Sequence, residues 1–261
     1  MAIRQYHVDA FADHVFEGNP AAVCILDSWL PDNTLQAIAQ ENNLSETAFT
    51  APSDHGLQLR WFTPVHEVAL CGHATLATAY VLFEILDFPG EKIYFETLSG
   101  DLIVSRDEGF LSMDFPSLVP TPCPCPDLLE AGLGKKPLEV YQSNAYIAIF
   151  DTEEDVHNLR PDFRILQDLE CDVIATAPGH EMDFVSRFFA PNSGIPEDPV
   201  TGSAHCMLTP LWNSKNGKEE FRARQVSSRG GNLLCRLNGD RVIIKGKAVL
   251  YAEGDLYLDG L

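Results

Sequence analysis

Polar and apolar positions alternate with a period of two along much of the chain, and turn residues break the runs. "YHVDAF", "AAVCIL", "ETAFTA", "LQLRWF", "KIYFETL", "DLIVSR" and "GFLSMDF" predict strands in the first half. "AYIAIF", "DVIATA", "DFVSRFFA", "EFRARQV", "NLLCRL" and "RVIIKGKAVLY" predict strands in the second. Helical spacing is rarer. "NTLQAIAQENN" predicts a short helix, and "HATLATAYVLFEI" a longer one with Leu76, Ala79, Tyr80 and Phe83 near one face. In the second half "SAHCMLTPLWNS" predicts a helix that Pro210 should kink or end early. Each half therefore reads as many strands around one main buried helix.

The two halves also match each other. "ETAFTAP" at Glu46–Pro52 parallels "DVIATAP" at Asp172–Pro178, 126 residues on. "RWFTP" at Arg60–Pro64 parallels "RFFAP" at Arg187–Pro191, 127 residues on. Gly72 of "CGHATLATAY" parallels Gly202 of "TGSAHCMLTPLW", 130 residues on, and "FETLSGDLIVSR" loosely parallels "RQVSSRGGNLLCR". Four matches in order argue for an internal duplication, with a period too long for a solenoid. The domains are expected at 1–118 and 126–261, with the last ten or so residues either finishing the second or returning to the first. Five prolines from Pro116 to Pro126 predict an extended, stiff join.

Composition narrows the classes of function. The 261 residues carry 38 acidic and 18 basic side chains, a formal charge of -20. Such a balance argues against a nucleic-acid or anionic-membrane surface, while a small anionic substrate needs only one arginine or a helix N-terminus. "MAIRQYHVDAF" lacks the pattern of a signal peptide, and no run approaches the roughly 18 apolar residues of a membrane span. Seven scattered cysteines fit a reduced, cytoplasmic protein. Cys123 and Cys125 stand one residue apart, and "HEVAL" has Leu70 where a zinc helix needs a second histidine. His66, His73, His205 and Cys71 follow no ligand spacing, so no metal is expected.

Both glycine segments place a tight turn before a helix. A helix N-terminus leaves amide groups unpaired and carries positive potential, which suits a carboxylate or a developing negative charge. Ser203 is also a good N-cap residue, so the same feature can be a plain cap. "DPVTG" makes a good turn on composition alone, and "SSRGGNL" reads as a hairpin turn whose Arg229 could approach an anion. A triad of Ser203, His205 and Asp198 is hard to build from one helix start.

"GNPAAV" at Gly18–Val23, "NNLSETAF" at Asn42–Phe49, "CGHATLATA" at Cys71–Ala79 and "DPVTGSAHC" at Asp198–Cys206 together resemble the phenazine-biosynthesis isomerase-like family. Its fold is similar to that of diaminopimelate epimerase and proline racemase. The resemblance spans essentially the whole chain. It implies an α+β fold of two similar strand-rich barrel domains, each around a central helix, with the active site in the cleft between them. It also implies a homodimer and cofactor-independent acid–base isomerisation, without a metal, of a small amino or hydroxy carboxylic acid that can be cyclic.

Onto this sequence the resemblance carries Glu46 as catalytic acid–base and Asp198 as a group that holds the amine or orients proton transfer, with Glu197 as its rival. His73, Gly72, Gly202 and Ser203 match substrate-contacting positions, and Asn19, Pro20 and Thr201 border the pocket. A carboxylate serves a one-base proton shuttle best where burial raises its pKa toward neutrality, and Leu44 and Phe49 stand near Glu46 to help. Pro20 is expected to begin a helical turn or end an edge strand. Two alternatives stay open: an amino or hydroxy acid epimerase or racemase, and a non-catalytic binding protein that kept the fold. Two-thiol chemistry is disfavoured, because Thr201 stands where the second half would need a partner for Cys71, and Cys206 lies a helical turn away.

Overall fold

A computed structural model describes residues 2–54 and 56–258. The chain divides into two compact units, Met1–Asp114 with Lys245–Leu261, and Phe115–Ile244. The boundary thus differs from the expected 126–261 at both ends. The return to the first unit starts at Lys245, earlier than the last ten residues, because the expected single strand "RVIIKGKAVLY" is two strands.

The first unit holds β1 (Ala2–Ala10), β2 (Asn19–Ile25), β3 (Glu46–Ser53), β4 (Gly56–Phe62), β5 (Glu67–Val68), β6 (Lys92–Thr97), β7 (Gly100–Asp107) and β8 (Phe110–Pro116). The second holds β9 (Thr121–Pro122), β10 (Glu139–Gln142), β11 (Ala145–Ile149), β12 (Asp172–Pro178), β13 (Phe184–Ala190), β14 (Ile195–Asp198), β15 (Glu220–Gln225) and β16 (Gly231–Asn238). Two strands follow across the return, β17 (Arg241–Gly246) and β18 (Ala248–Tyr257).

The duplication read from the sequence is present in the pairing. β1 and β2 run antiparallel, β2 and β3 parallel, β3 and β4 antiparallel, β4 and β6 parallel, β6 and β7 antiparallel. β10 to β13, β15 and β16 repeat that series step for step. In the first unit β18 pairs antiparallel with the outer side of β1, so the chain's last strand closes the unit its first strand opens.

Each unit has one main buried helix. Of the helices α1 (Asp32–Asn42), α2 (Gly72–Tyr80), α3 (Asp127–Leu133), α4 (Glu153–His157), α5 (Phe163–Gln167) and α6 (Gly202–Asn216), α2 and α6 are the buried pair. Every residue of α2 from His73 to Ala79 is buried, and the helix packs on β1, β2, β3, β7 and β18. It continues as a single π-type turn over Val81–Ile85. α6 does not stop at Pro210 but runs on to Asn216. Proline removes the N–H that would reach the Cys206 carbonyl, and the amide of Leu118 donates to that carbonyl instead at 3.0 Å. The replacement partner comes from the proline-rich join. The join carries no helix from Pro116 to Pro126, and α3 follows it, stopping at Gly134 in the left-handed conformation, φ 69°.

The outer face of the first sheet is covered by α1. Leu35, Ile38, Phe49 and Phe62 form a core there, with the two phenylalanine rings edge to face at 5.6 Å. Strand alternation therefore turns Phe49 away from the Glu46 side of β3. The expected desolvation of Glu46 by Phe49 is corrected accordingly.

Candidate active site

In the first unit, three elements meet at one end of the sheet. Gly18 has φ +66°, and a β-carbon on it would lie 2.1 Å from the Ala10 carbonyl oxygen, so only glycine fits. That turn delivers Asn19 as the first residue of β2, paired with Ala10. Pro20 follows inside the strand rather than starting a helical turn. Parallel pairing sets Ala21 beside Glu46, the first residue of β3. Asn19 and Ala21 share a face of β2, so Asn19 and Glu46 lie on adjacent strands at the same end. There α2 begins, with Cys71 as N-cap and Gly72 as its first residue.

His73 sits at the centre of this arrangement. Its Nε2 lies 3.2 Å from Glu46 Oε2, whose side chain keeps 14% of its exposure. On the other side of the ring, Nδ1 lies 3.2 Å from Asn19 Nδ2 and 3.5 Å from Cys71 Sγ. Burial pushes the His73 pKa down to about 3, because the ring cannot hold a charge so far from water. Though Glu46 and His73 stand at ion-pair distance, the imidazole is therefore neutral, and the contact is not aligned as a hydrogen bond. The N-cap makes no side-chain bond to the helix amides, and Thr75 Oγ1 donates to the Cys71 carbonyl at 2.6 Å.

Donor atoms of Glu46, Cys71 and His73 all lie within 4.8 Å of one another, a cluster that spacing did not predict. It makes a poor metal site. The carboxylate faces one ring nitrogen and the thiol the other, and these point in opposite directions. His66, also weighed as a ligand, is exposed on the surface, and His205 belongs to the second unit.

The second unit carries its own turn-to-helix junction. Asp198 ends β14 and is buried, and its Oδ2 accepts from Thr201 Oγ1. Thr201 is the N-cap of α6, but its hydroxyl is spent on Asp198 and not on the helix amides. Ser203 is not the cap: it is the second helical residue, and it is exposed. Gly202 beside it is buried. Glu197 turns the other way and binds Arg187 through two bonds of 2.7 and 2.8 Å.

One residue of this junction was missed in the sequence. Gln225 is fully buried. Its Oε1 accepts from the Thr201 amide at 2.9 Å, and its Nε2 donates to the Asp198 carbonyl at 2.7 Å. The signal was available: Phe221, Ala223 and Gln225 share the inward register of β15, where a glutamine needs partners. Nearby, Ser227 Oγ donates to the Pro199 carbonyl and accepts from Gly230, so "SSRGG" forms the hairpin turn expected of it. His205 is buried, with Nδ1 2.8 Å from the Thr201 carbonyl oxygen and the ring stacked near Phe184. Burial pushes its pKa down to about 4 and that of the Cys206 thiol up to about 12. Neither supplies a general base near neutrality, and no triad with Ser203 forms.

Comparison with known proteins agrees with this architecture. The profile of phenazine biosynthesis-like proteins (PhzC-PhzF) matches residues 8–254. The chain belongs to this family. An uncharacterized isomerase of Pseudomonas aeruginosa is 51% identical over 259 residues, which cover 99% of this chain and 100% of that protein. A phenazine biosynthesis-like domain-containing protein of Rattus norvegicus is 40% identical over 286 residues, with 98% and 99% covered. The crystal structure of a PhzF-family phenazine biosynthesis protein from Enterococcus faecalis superposes with a TM-score of 0.96 at 47% identity, covering 99% of this chain and 100% of that one. The fold is thus α+β and of the two-domain PhzF and diaminopimelate-epimerase type, and the protein is an isomerase-type enzyme. No helix among the described residues is long and apolar enough to cross a membrane.

Proposed function

We propose that this protein moves a proton between carbons of a small amino or hydroxy carboxylic acid, with Glu46 as the only group that carries it. The observation behind this reading is the 3.2 Å contact between Glu46 and a neutral, buried His73 at the start of α2. A single carboxylate can take a proton from one carbon and return it to another on the same face. His73 presents a neutral ring nitrogen 3.2 Å from the carboxylate, on the side of the ring away from Asn19. The unpaired amides of the first turn of α2, at Gly72 and His73, favour negative charge as the carbon loses its proton. No cofactor is needed for these steps.

In the same reading, Gly202 and the exposed Ser203 at the start of α6 bind the substrate carboxylate. Asp198, held by Thr201, takes the amine or hydroxyl group. Asn19, Pro20 and Thr201 shape the surroundings of these groups without touching the proton. Two-thiol epimerase chemistry lacks a second thiol, because the residue in the place of Cys71 is Thr201 and Cys206 is bonded toward the Gly202 carbonyl inside the helix.

The test is solvent-deuterium incorporation into a panel of amino and hydroxy carboxylic acids, cyclic and acyclic, followed by NMR. We expect deuterium at a new carbon of one compound. Inversion at the original carbon, without migration, would overturn the reading in favour of an epimerase.

A further inference from the structure

Resting on the reading of Glu46 as proton carrier, the geometry points to Asn19 as the positioning residue that sets the tautomer of His73, with the Cys71 thiol beside it. A neutral imidazole has one N–H, and its place is decided by the neighbours of each nitrogen. Nδ1 lies 3.2 Å from the amide nitrogen of Asn19, which can only donate, and 3.5 Å from the thiol of Cys71, which also has a proton to give. Nε2 lies 3.2 Å from Glu46 Oε2, an acceptor when ionised. The Nδ1 side decides it: Nδ1 accepts, and the ring proton sits on Nε2, on the side of Glu46 but not aligned as a hydrogen bond to Oε2.

The rival arrangement is a thiolate paired with an imidazolium. It would put a proton on Nδ1, directly against the Asn19 amide, and two charges where Asn19 is fully buried and His73 nearly so. Burial of His73 opposes it further. The second unit shows what the junction looks like without this device. Thr201, in the place of Cys71, turns to Asp198, and Ser203, in the place of His73, is exposed.

The tautomer has a consequence for proton delivery. With its proton on Nε2, His73 cannot accept one from the Glu46 carboxylic acid. Once Glu46 has taken a proton from the substrate, His73 offers that proton no acceptor. The fixed tautomer thereby closes the route through His73.

The test is long-range ¹H–¹⁵N NMR of the full-length protein labelled in histidine, with the His73 signals assigned by their loss in His73→Gln. In wild type we expect Nδ1 without a proton and Nε2 with one. This readout needs no substrate, so it stands even if the deuterium experiment finds none. A wild-type spectrum with the proton on Nδ1 would overturn the assignment whether or not any variant folds. In Asn19→Asp, a carboxylate replaces the donor with an acceptor of the same shape, and the proton should move to Nδ1. Cys71→Ala should keep it on Nε2, because the Asn19 amide remains. With a substrate in hand, Asn19→Asp should slow exchange by at least about 10-fold. A flipped tautomer with unchanged exchange would remove Asn19 as a positioning residue.

Discussion

The two units keep the same frame and differ in what stands on it. Arg60 forms a two-bond pair with Glu67 between β4 and β5, both bonds 2.7 Å. Arg187 forms the same pair with Glu197 between β13 and β14. Thr50 Oγ1 donates to the Gln58 carbonyl across β3 and β4, and Thr176 Oγ1 to the Val185 carbonyl across β12 and β13. These are the bonds that hold the strands in register. At the helix starts, by contrast, Cys71, His73 and Thr75 of the first unit stand against Thr201, Ser203 and His205 of the second. At the head of the shared strand, Glu46 stands against Asp172. Duplication has conserved the bonds that place a helix N-terminus against a sheet, and chemistry has diverged at the few positions that border it.

The largest effect should come from separating Glu46 and Asp172. Glu46→Gln removes the proton carrier and should cost about 100- to 10,000-fold in exchange, with melting temperature little changed. Next comes acid sensitivity, since each unit buries one neutral histidine near its helix start, His73 with a pKa of about 3 and His205 with one of about 4. The unfolded chain protonates both near pH 6.5, while the folded chain does not. Stability is therefore lost as pH falls from about 6.5 toward those values, by up to about 1.4 kcal/mol per pH unit for each ring. Chemical denaturation at stepped pH should show a shallower loss in His73→Gln, and likewise in His205→Gln.

The paired arginines sharpen the comparison further. Arg187 also donates to the carbonyls of Val156 and Leu159, whereas Arg60 adds only the exposed Asp32 and the faces of Trp29 and Phe62. Arg187→Ala strands more buried partners, at about 3 to 4 kcal/mol, and Arg60→Ala should cost about 2 kcal/mol. Urea melts would show the order, and equal losses would contradict it. The smallest effect belongs to Asp172→Asn. Burial raises the Asp172 pKa, so its charge works against folding at neutral pH. The variant should be as stable as wild type or more so, by less than about 1 kcal/mol, and the gain should vanish below about pH 4.

Much of this was legible in the sequence because a duplication writes the frame twice. The pair "RWFTP" and "RFFAP" located β4 and β13, and the two glycines located the buried helices. The central trio was less so. Asn19, Glu46 and His73 are brought together by parallel pairing of β2 with β3, and no local spacing encodes a parallel register. Their joint role came from the family resemblance, and Asn19 was placed only as part of a wall. Pro210 misled because its cost depends on whether another amide can reach the freed carbonyl. Leu118 does so from 88 residues away in sequence. The short helices α3, α4 and α5 carry too few turns for a periodic signal.

The central claim is that proton chemistry resides on Glu46 and not on its counterpart. It is tested most directly by measuring solvent-deuterium exchange into one exchanging carboxylic acid with wild type, Glu46→Gln and Asp172→Asn side by side. The account predicts wild-type exchange in Asp172→Asn and its loss in Glu46→Gln. Exchange that survives in Glu46→Gln, or that disappears in Asp172→Asn while the protein stays folded, would contradict it.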